Sequence, residues 1–238
     1  MASVTLSPAA RAALDVLTSD LRRVFGNRLV SISAYALTAD PDAEIRTVVL
    51  VDRLAFDDLA ACVPLARAWD ARGLAVPLLL ERDEFVRTLD VFPLEYGEII
   101  ATHVPVYGDD PFAGVQVADA DRRRACELQA KSHLIHLREG FLESRGDPRA
   151  VSALIGASAE GFRRLLLNLL ALVAADDGAG DLDERAEAHL GVAADLTREV
   201  LAARGAGPST IADPTALLAR YITAVERIWE FVDAWKRP

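Results

Sequence analysis

Apolar residues recur along this chain in two rhythms. Up to about residue 115, short Val/Ile-rich runs alternate with helical stretches; after residue 119 the spacing is helical throughout. Ser7-Pro8 caps and starts the first helix, with Leu14, Leu17, Leu21 and Val24 on its face and Gly26 as its stop. Residues 29–36 and 45–51 read as two strands around the polar turn Thr38-Ala39-Asp40-Pro41-Asp42. A helix capped by Asp57 runs to about Arg72 and ends at Gly73. Its expected apolar face is Leu59, Cys62, Val63, Ala66 and Trp69, and Pro64 is expected to kink or split it. Residues 75–80 read as a third strand and 81–89 as a short helix. Residues 94–101 and 104–107 read as two further strands before the loop Gly108-Asp109-Asp110-Pro111.

The second half holds one long helix over 119–144. Leu128, Ile135 and Leu142 form one stripe on it, with Leu134, Leu137 and Phe141 beside them. Asp147-Pro148 starts the next helix, which ends at Asp176-Asp177-Gly178. A shorter pair follows at 182–190 and 192–204, and Asp213-Pro214 caps the last helix. Helices joined by short loops make a bundle. The expected architecture is α+β: an α/β domain over 1–115, then an all-α helical bundle over 116–238.

Composition narrows the class without naming a function. Hydrophobic residues are 52% and charged residues 26% of 238, as in a core-forming globular protein. No apolar run reaches the ~20 residues a membrane span needs, and the N-terminus lacks a secretory pattern, so a cytoplasmic location is the expectation. The net charge of -10 disfavours broad nucleic-acid binding. Cys62 and Cys126 read as buried reduced thiols, and no Cys/His cluster suggests zinc.

The order helix, strand, turn, strand, helix, strand over residues 7–80 resembles the polymerase-beta-type nucleotidyltransferases. A second, looser resemblance is to bacterial nucleotidyltransferase-like proteins with an appended helical domain. It is carried by LDVFPLEYGEIIATHVPVYGDDPF at 89–112, by Glu127-Leu128-Gln129 and by the run His136 to Leu142. The first resemblance implies a strand ending in Gly-Ser, a second strand opening on Asp-x-Asp, and a third acid on a later strand. Carboxylates so placed hold divalent cations that clamp a triphosphate, while the Gly-Ser turn offers backbone N–H groups to phosphate. Tyr35 fits the motif, but Ala36 and Leu37 stand where Gly-Ser would be. Glu44-Ile45-Arg46 takes the Asp-x-Asp place, so Glu44 keeps an acid and Arg46 substitutes a cation. By family position Glu95 is the third acid, with Glu98 as its rival; residues three apart cannot share one face of a strand. Asp40 and Asp42 read as plain turn residues, with cation binding as the alternative.

The resemblance therefore implies nucleotide-binding positions at Tyr35, Ala36, Leu37 and Arg46, and metal positions at Glu44 and Glu95. The favoured reading is a catalytically degenerate nucleotidyltransferase-fold module that binds a nucleotide or a protein. The alternative is an active transferase that moves a nucleoside monophosphate onto a small molecule, protein or RNA, and Mg²⁺ enters only there. His133 and His136, spaced i, i+3, read as polar helix face before metal site, and no Arg–His pair suggests a ribonuclease. Arg122-Arg123-Arg124 opposes the dipole of its helix and reads as pairing with the acidic front half. The wide apolar face of the last helix, with Tyr221, Trp229, Phe231 and Trp235, suggests a homodimer through the C-terminal helices.

Overall fold

The computed structural model describes residues 6–37, 43–173, 180–205 and 211–235. It divides into two compact units, Met1–Ala118 and Asp119–Pro238. The first contains α1 (Pro8–Phe25), β1 (Leu29–Tyr35), β2 (Arg46–Val51), α2 (Phe56–Asp70), β3 (Leu78–Glu81), α3 (Arg82–Arg87), α4 (Pro93–Thr102) and β4 (Val104–Tyr107). The second contains α5 (Asp119–Ser144), α6 (Pro148–Val173), α7 (Leu182–Leu190), α8 (Ala194–Ala202) and α9 (Pro214–Ala234).

The four strands form one mixed sheet in the order β3-β2-β1-β4. β1 runs antiparallel to β2 and to β4, and β2 runs parallel to β3. Alternation along the strands sends residues to two cores. Ile32, Ala34, Val49 and Val51 pack with Leu14, Leu17 and Leu21 of α1 and with Cys62 and Trp69 of α2. On the other face Val48, Leu50 and Leu80 meet Phe85 of α3 and Tyr96 and Ile99 of α4. Phe85 stacks on Tyr96 with centroids 4.4 Å apart and touches Phe112 at 4.8 Å. β1 and β2 are thus buried on both faces, which is why they read as near-continuous apolar runs.

Local chemistry fixes the element ends. The Ser7 Oγ accepts from the Ala10 N–H at 3.1 Å. α2 begins two residues earlier than expected: Ala55, not Asp57, is its N-cap, and the Asp58 carboxylate reaches back to the Ala55 N–H at 2.9 Å. Arg28 grips the same carboxylate in a two-pronged pair at 2.7 Å on each oxygen, which holds Asp58 down at about 2. Asp58 is only 8% exposed, so this pair ties the start of β1 to the start of α2. Gly108, at φ +75°, turns the chain after β4 so tightly that an added Cβ would lie 2.2 Å from the Val30 carbonyl oxygen.

Four expectations need correction. Residues 94–101 are not a strand but most of α4. Pro93 is at the first helical position, and Pro93, Tyr96, Gly97 and Ile99 are buried at helical spacing. The third strand is shorter and later than 75–80, at Leu78–Glu81. Pro64 does not split α2, which is continuous from Phe56 to Asp70. Both Pro64 and Ala60, whose carbonyl the ring leaves without its helical donor, face solvent. Finally, Leu59 and Val63 are exposed, and α2 is buried through Cys62, Leu65, Ala66 and Trp69.

In the helical unit, α6 and α9 pack against α5. His133, Phe162 and Tyr221 meet there, with the His133 Nε2 2.5 Å from the Tyr221 hydroxyl. His133 is therefore core and not part of a polar face. Burial, with a smaller contribution from His136, pushes it down to about 4. Arg123 bonds Glu127 and the Val232 carbonyl, and Arg124 bonds Asp121. These partners belong to the same unit, not to the acidic front half. Tyr221 is buried, while Trp229 and Trp235 are half-buried, and the Lys131 ammonium sits 3.5 Å over the Trp229 ring. Of the four C-terminal aromatics only Tyr221 is fully inside the bundle, and Phe231 is exposed.

Two predictions follow from this packing. Gly108→Ala meets both a backbone clash and a left-handed φ and is expected to cost more than ~3 kcal/mol. Gly146→Ala, where an added Cβ finds open space, costs about 1 kcal/mol; urea denaturation of the two variants checks the ranking. Neutral His133 is disfavoured in the unfolded chain below its ordinary value near 6.5. Its contribution is therefore complete above pH 6.5 and shrinks by about 3 kcal/mol as pH falls to 4. The stability difference between wild type and His133→Gln should narrow over that range, and a constant difference would contradict the assignment.

Candidate functional site

The candidate site lies where β1 ends and β2 begins. Register places Tyr35 directly opposite Arg46. Alternation puts both on the face that Val48 and Leu50 share, the face covered by α3 and α4. Arg46 is exposed, and Tyr35 is half-buried. Burial raises the Tyr35 hydroxyl above its ordinary value. The Arg46 cation opposes that shift, and the Glu98 carboxylate on α4 adds to it. Tyr35, Arg46 and Glu98 are thus one electrostatic cluster.

The turn after β1 carries the second feature. Ala36 has φ +49°, a left-handed conformation that a residue with a Cβ adopts at a cost of roughly 1 kcal/mol. This is the position where the transferase motif has glycine. The left-handed turn is therefore formed here without the residue type that favours it. The Ala36 N–H is also occupied: it donates to the Thr102 Oγ1 at 3.0 Å, and that hydroxyl donates to the Glu98 carbonyl at 2.7 Å. The amide of this turn is thus spent on the end of α4.

The remaining sequence-derived positions are scattered in role. Leu37, at the serine position, packs against the α1/α2 core, so its side chain anchors the turn and offers no hydroxyl. Glu44 is exposed ahead of β2, where Ile45 bridges to Leu74. Glu95 is exposed in the first turn of α4, not on a strand. Because that segment is helical, Glu95 and Glu98 lie one turn apart and share a face, contrary to the strand argument. Asp40 and Asp42 fall outside the described residues. Among the described residues, no three His, Cys, Asp or Glu side chains gather to hold a metal ion. With a guanidinium in the second acid's place, the residues present do not fit a two-metal centre.

Sequence reasoning missed two contributors, Thr102 and the proximity of Glu98 to Tyr35, because both depend on α4 being a helix. It also missed two buried hydroxyls beside the site. Ser33 Oγ and Thr47 Oγ1 have no hydrogen-bond partner among the described residues. Serine and threonine in a strand are ordinary, so nothing in the pattern marks them. A separate concavity of about 400 Å³ lies in the helical unit between the α7–α8 connection and α9, flanked by Arg220, Thr223 and Arg227. No residue of the Tyr35 cluster lines it. Arg220 there is engaged by Asp195 and Glu199.

No family model and no curated protein matches the chain. Among solved structures it is similar to a spectinomycin adenyltransferase from Enterococcus faecialis, crystallised with ATP and spectinomycin. The TM-score is 0.54 at 11% identity, over 91% of this chain and 98% of that one. No helix among the described residues is long and apolar enough to cross a membrane. The likeness establishes the architecture: this chain has the α+β nucleotidyltransferase fold, a mixed sheet with flanking helices followed by a helical C-terminal part.

Proposed function

We propose that this protein is a catalytically degenerate nucleotidyltransferase-fold module that binds a nucleotide without a metal ion. The observation that carries this reading is the pairing of Tyr35 with Arg46 across β1 and β2. It sets a permanent cation where the transferase motif requires a metal-binding acid. A guanidinium attracts phosphate directly and with fixed geometry. The half-buried Tyr35 ring beside it supplies an apolar face. The occupied Ala36 amide and the apolar Leu37 further weaken the triphosphate-clamping turn. That the structurally similar adenyltransferase was solved with ATP supports a nucleotide as the ligand class.

Under this reading Glu44 and Glu95 are surface carboxylates and no Mg²⁺ is recruited. The boundary between nucleotide module and bundle is assigned near residue 115. The module works as a regulatory or interaction partner in the cytoplasm, where its two buried free cysteines stay reduced. Self-association through the helical unit belongs to the same proposal. An active transferase using Glu44 and Glu95 is the opposing reading.

Two experiments separate these readings. ATP binding to wild type, Arg46→Lys and Arg46→Ala, measured in EDTA, is expected to weaken slightly in the lysine variant and at least ~10-fold in the alanine variant. Magnesium-dependent pyrophosphate release by the wild type would overturn the proposal. Ala36→Gly relieves the left-handed strain and is expected to raise stability by up to about 1 kcal/mol, read as a higher Tm, without producing transferase activity.

A further inference from the structure

Phosphate is held by hydrogen-bond donors, and few of those around the end of β1 are free. The Ala36 N–H donates to Thr102, whose hydroxyl donates to the Glu98 carbonyl. Ser33, the next residue inward on the Tyr35 face, is 1% exposed and so closed to a ligand. α3 and α4, which cover that face, bring two arginines between them. Arg82 is paired with Asp52, beyond the far end of β2 from Arg46. The Arg87 Nε donates to the Asp83 carbonyl of its own helix. Two side-chain donors remain. Among the described residues Arg46 makes no hydrogen bond or ion pair, and neither does the Tyr35 hydroxyl.

These two are directly opposed across β1 and β2, which sets their Cβ atoms about 5 Å apart on one face. A guanidinium takes two oxygens of one phosphate through its planar fork. The Tyr35 hydroxyl keeps its proton at neutral pH: burial raises it above its ordinary value, with Arg46 opposing the shift and Glu98 adding to it. It is therefore a donor for a third oxygen. This supply matches one phosphate group. A second and a third phosphate would need further cations, amides or a metal ion. The neighbouring side chains are instead acceptors: Glu98, Glu95 one turn away on α4, and Glu44 two residues before Arg46, all exposed. No three acids among the described residues gather to hold a cation that would bridge to phosphate.

On the nucleotide-binding reading proposed above, we infer that this site takes a nucleoside monophosphate, held by its one phosphate between Arg46 and Tyr35, while the outer phosphates of a di- or triphosphate stay in solvent. Physiological salt screens exposed charges beyond about 8 Å, so the three carboxylates repel those outer phosphates only weakly. Added phosphates therefore change the affinity little in either direction.

The test is calorimetric titration of the full chain with adenosine, AMP, ADP and ATP, in EDTA and physiological salt. AMP, ADP and ATP are expected to bind within ~3-fold of one another and at least ~10-fold more tightly than adenosine. Tyr35→Phe, which keeps the ring, should weaken AMP ~10-fold and leave adenosine unchanged. Arg46→Ala, at an exposed position, should bring AMP to the level of adenosine with unchanged circular dichroism. ATP binding more than ~10-fold tighter than AMP would overturn the single-phosphate site and leave a nucleotide site in place. AMP that binds no tighter than adenosine, or a Tyr35→Phe variant that holds AMP as the wild type does, would overturn the Arg46–Tyr35 contact. No binding of any of the four would overturn this inference and the nucleotide reading together.

Discussion

The register of β1 against β2 is the constraint on which the front unit depends. Both strands are buried on both faces, so a slip of one residue would exchange residues between the two cores, setting Ser31, Ser33 and Thr47 in the wrong one and removing Ile32 and Val49 from theirs. The Arg28–Asp58 pair holds the start of β1 to α2, and the Gly108 turn presses the end of β4 against the Val30 backbone. With register so fixed, Tyr35 faces Arg46, and the turn at Ala36 emerges at the end of α4. The chemistry of the site follows from that geometry.

On the proposed function, two kinds of change separate this site from a metal-dependent transferase. One is of residue type: Arg46 for an acid, Leu37 for a serine, Ala36 for a glycine. The other is of hydrogen bonding, since Thr102 takes the amide that the turn would offer to phosphate. Ala36 is held in a left-handed conformation it does not favour, and the Thr102 bond fixes the turn in that shape. On the proposed function, the mixed sheet and its flanking helices are kept, while the residues at the metal's place serve structure and a fixed positive charge.

Much of the fold was legible because local signals and burial agreed. Ser7 and Asp213 act as the caps their positions suggest. α5 spans 119–144 as its spacing predicts, and β1 and β2 stand where Val and Ile cluster. Legibility failed where a helix carries apolar residues on more than one side. In α2 and α5 periodicity finds the helix but cannot tell which stripe is inside. Spacing puts Leu59 and Val63 on the apolar face of α2, and Leu128, Ile135 and Leu142 on one stripe of α5, yet all five face outward. It failed again at α4, where Ile99-Ile100 and a short apolar run imitate a strand and only Pro93 at the first helical position argues otherwise. Read as a strand, this segment conceals Thr102 and misplaces Glu98, which together make half of the candidate site.

The central claim is that Arg46 has taken over the role of the metal at a nucleotide site. Calorimetric titration of the wild-type protein with ATP, once in Mg²⁺ and once in EDTA, addresses it directly. The account predicts binding of equal strength in the two buffers. Binding seen only with Mg²⁺, or no binding in either, would contradict it.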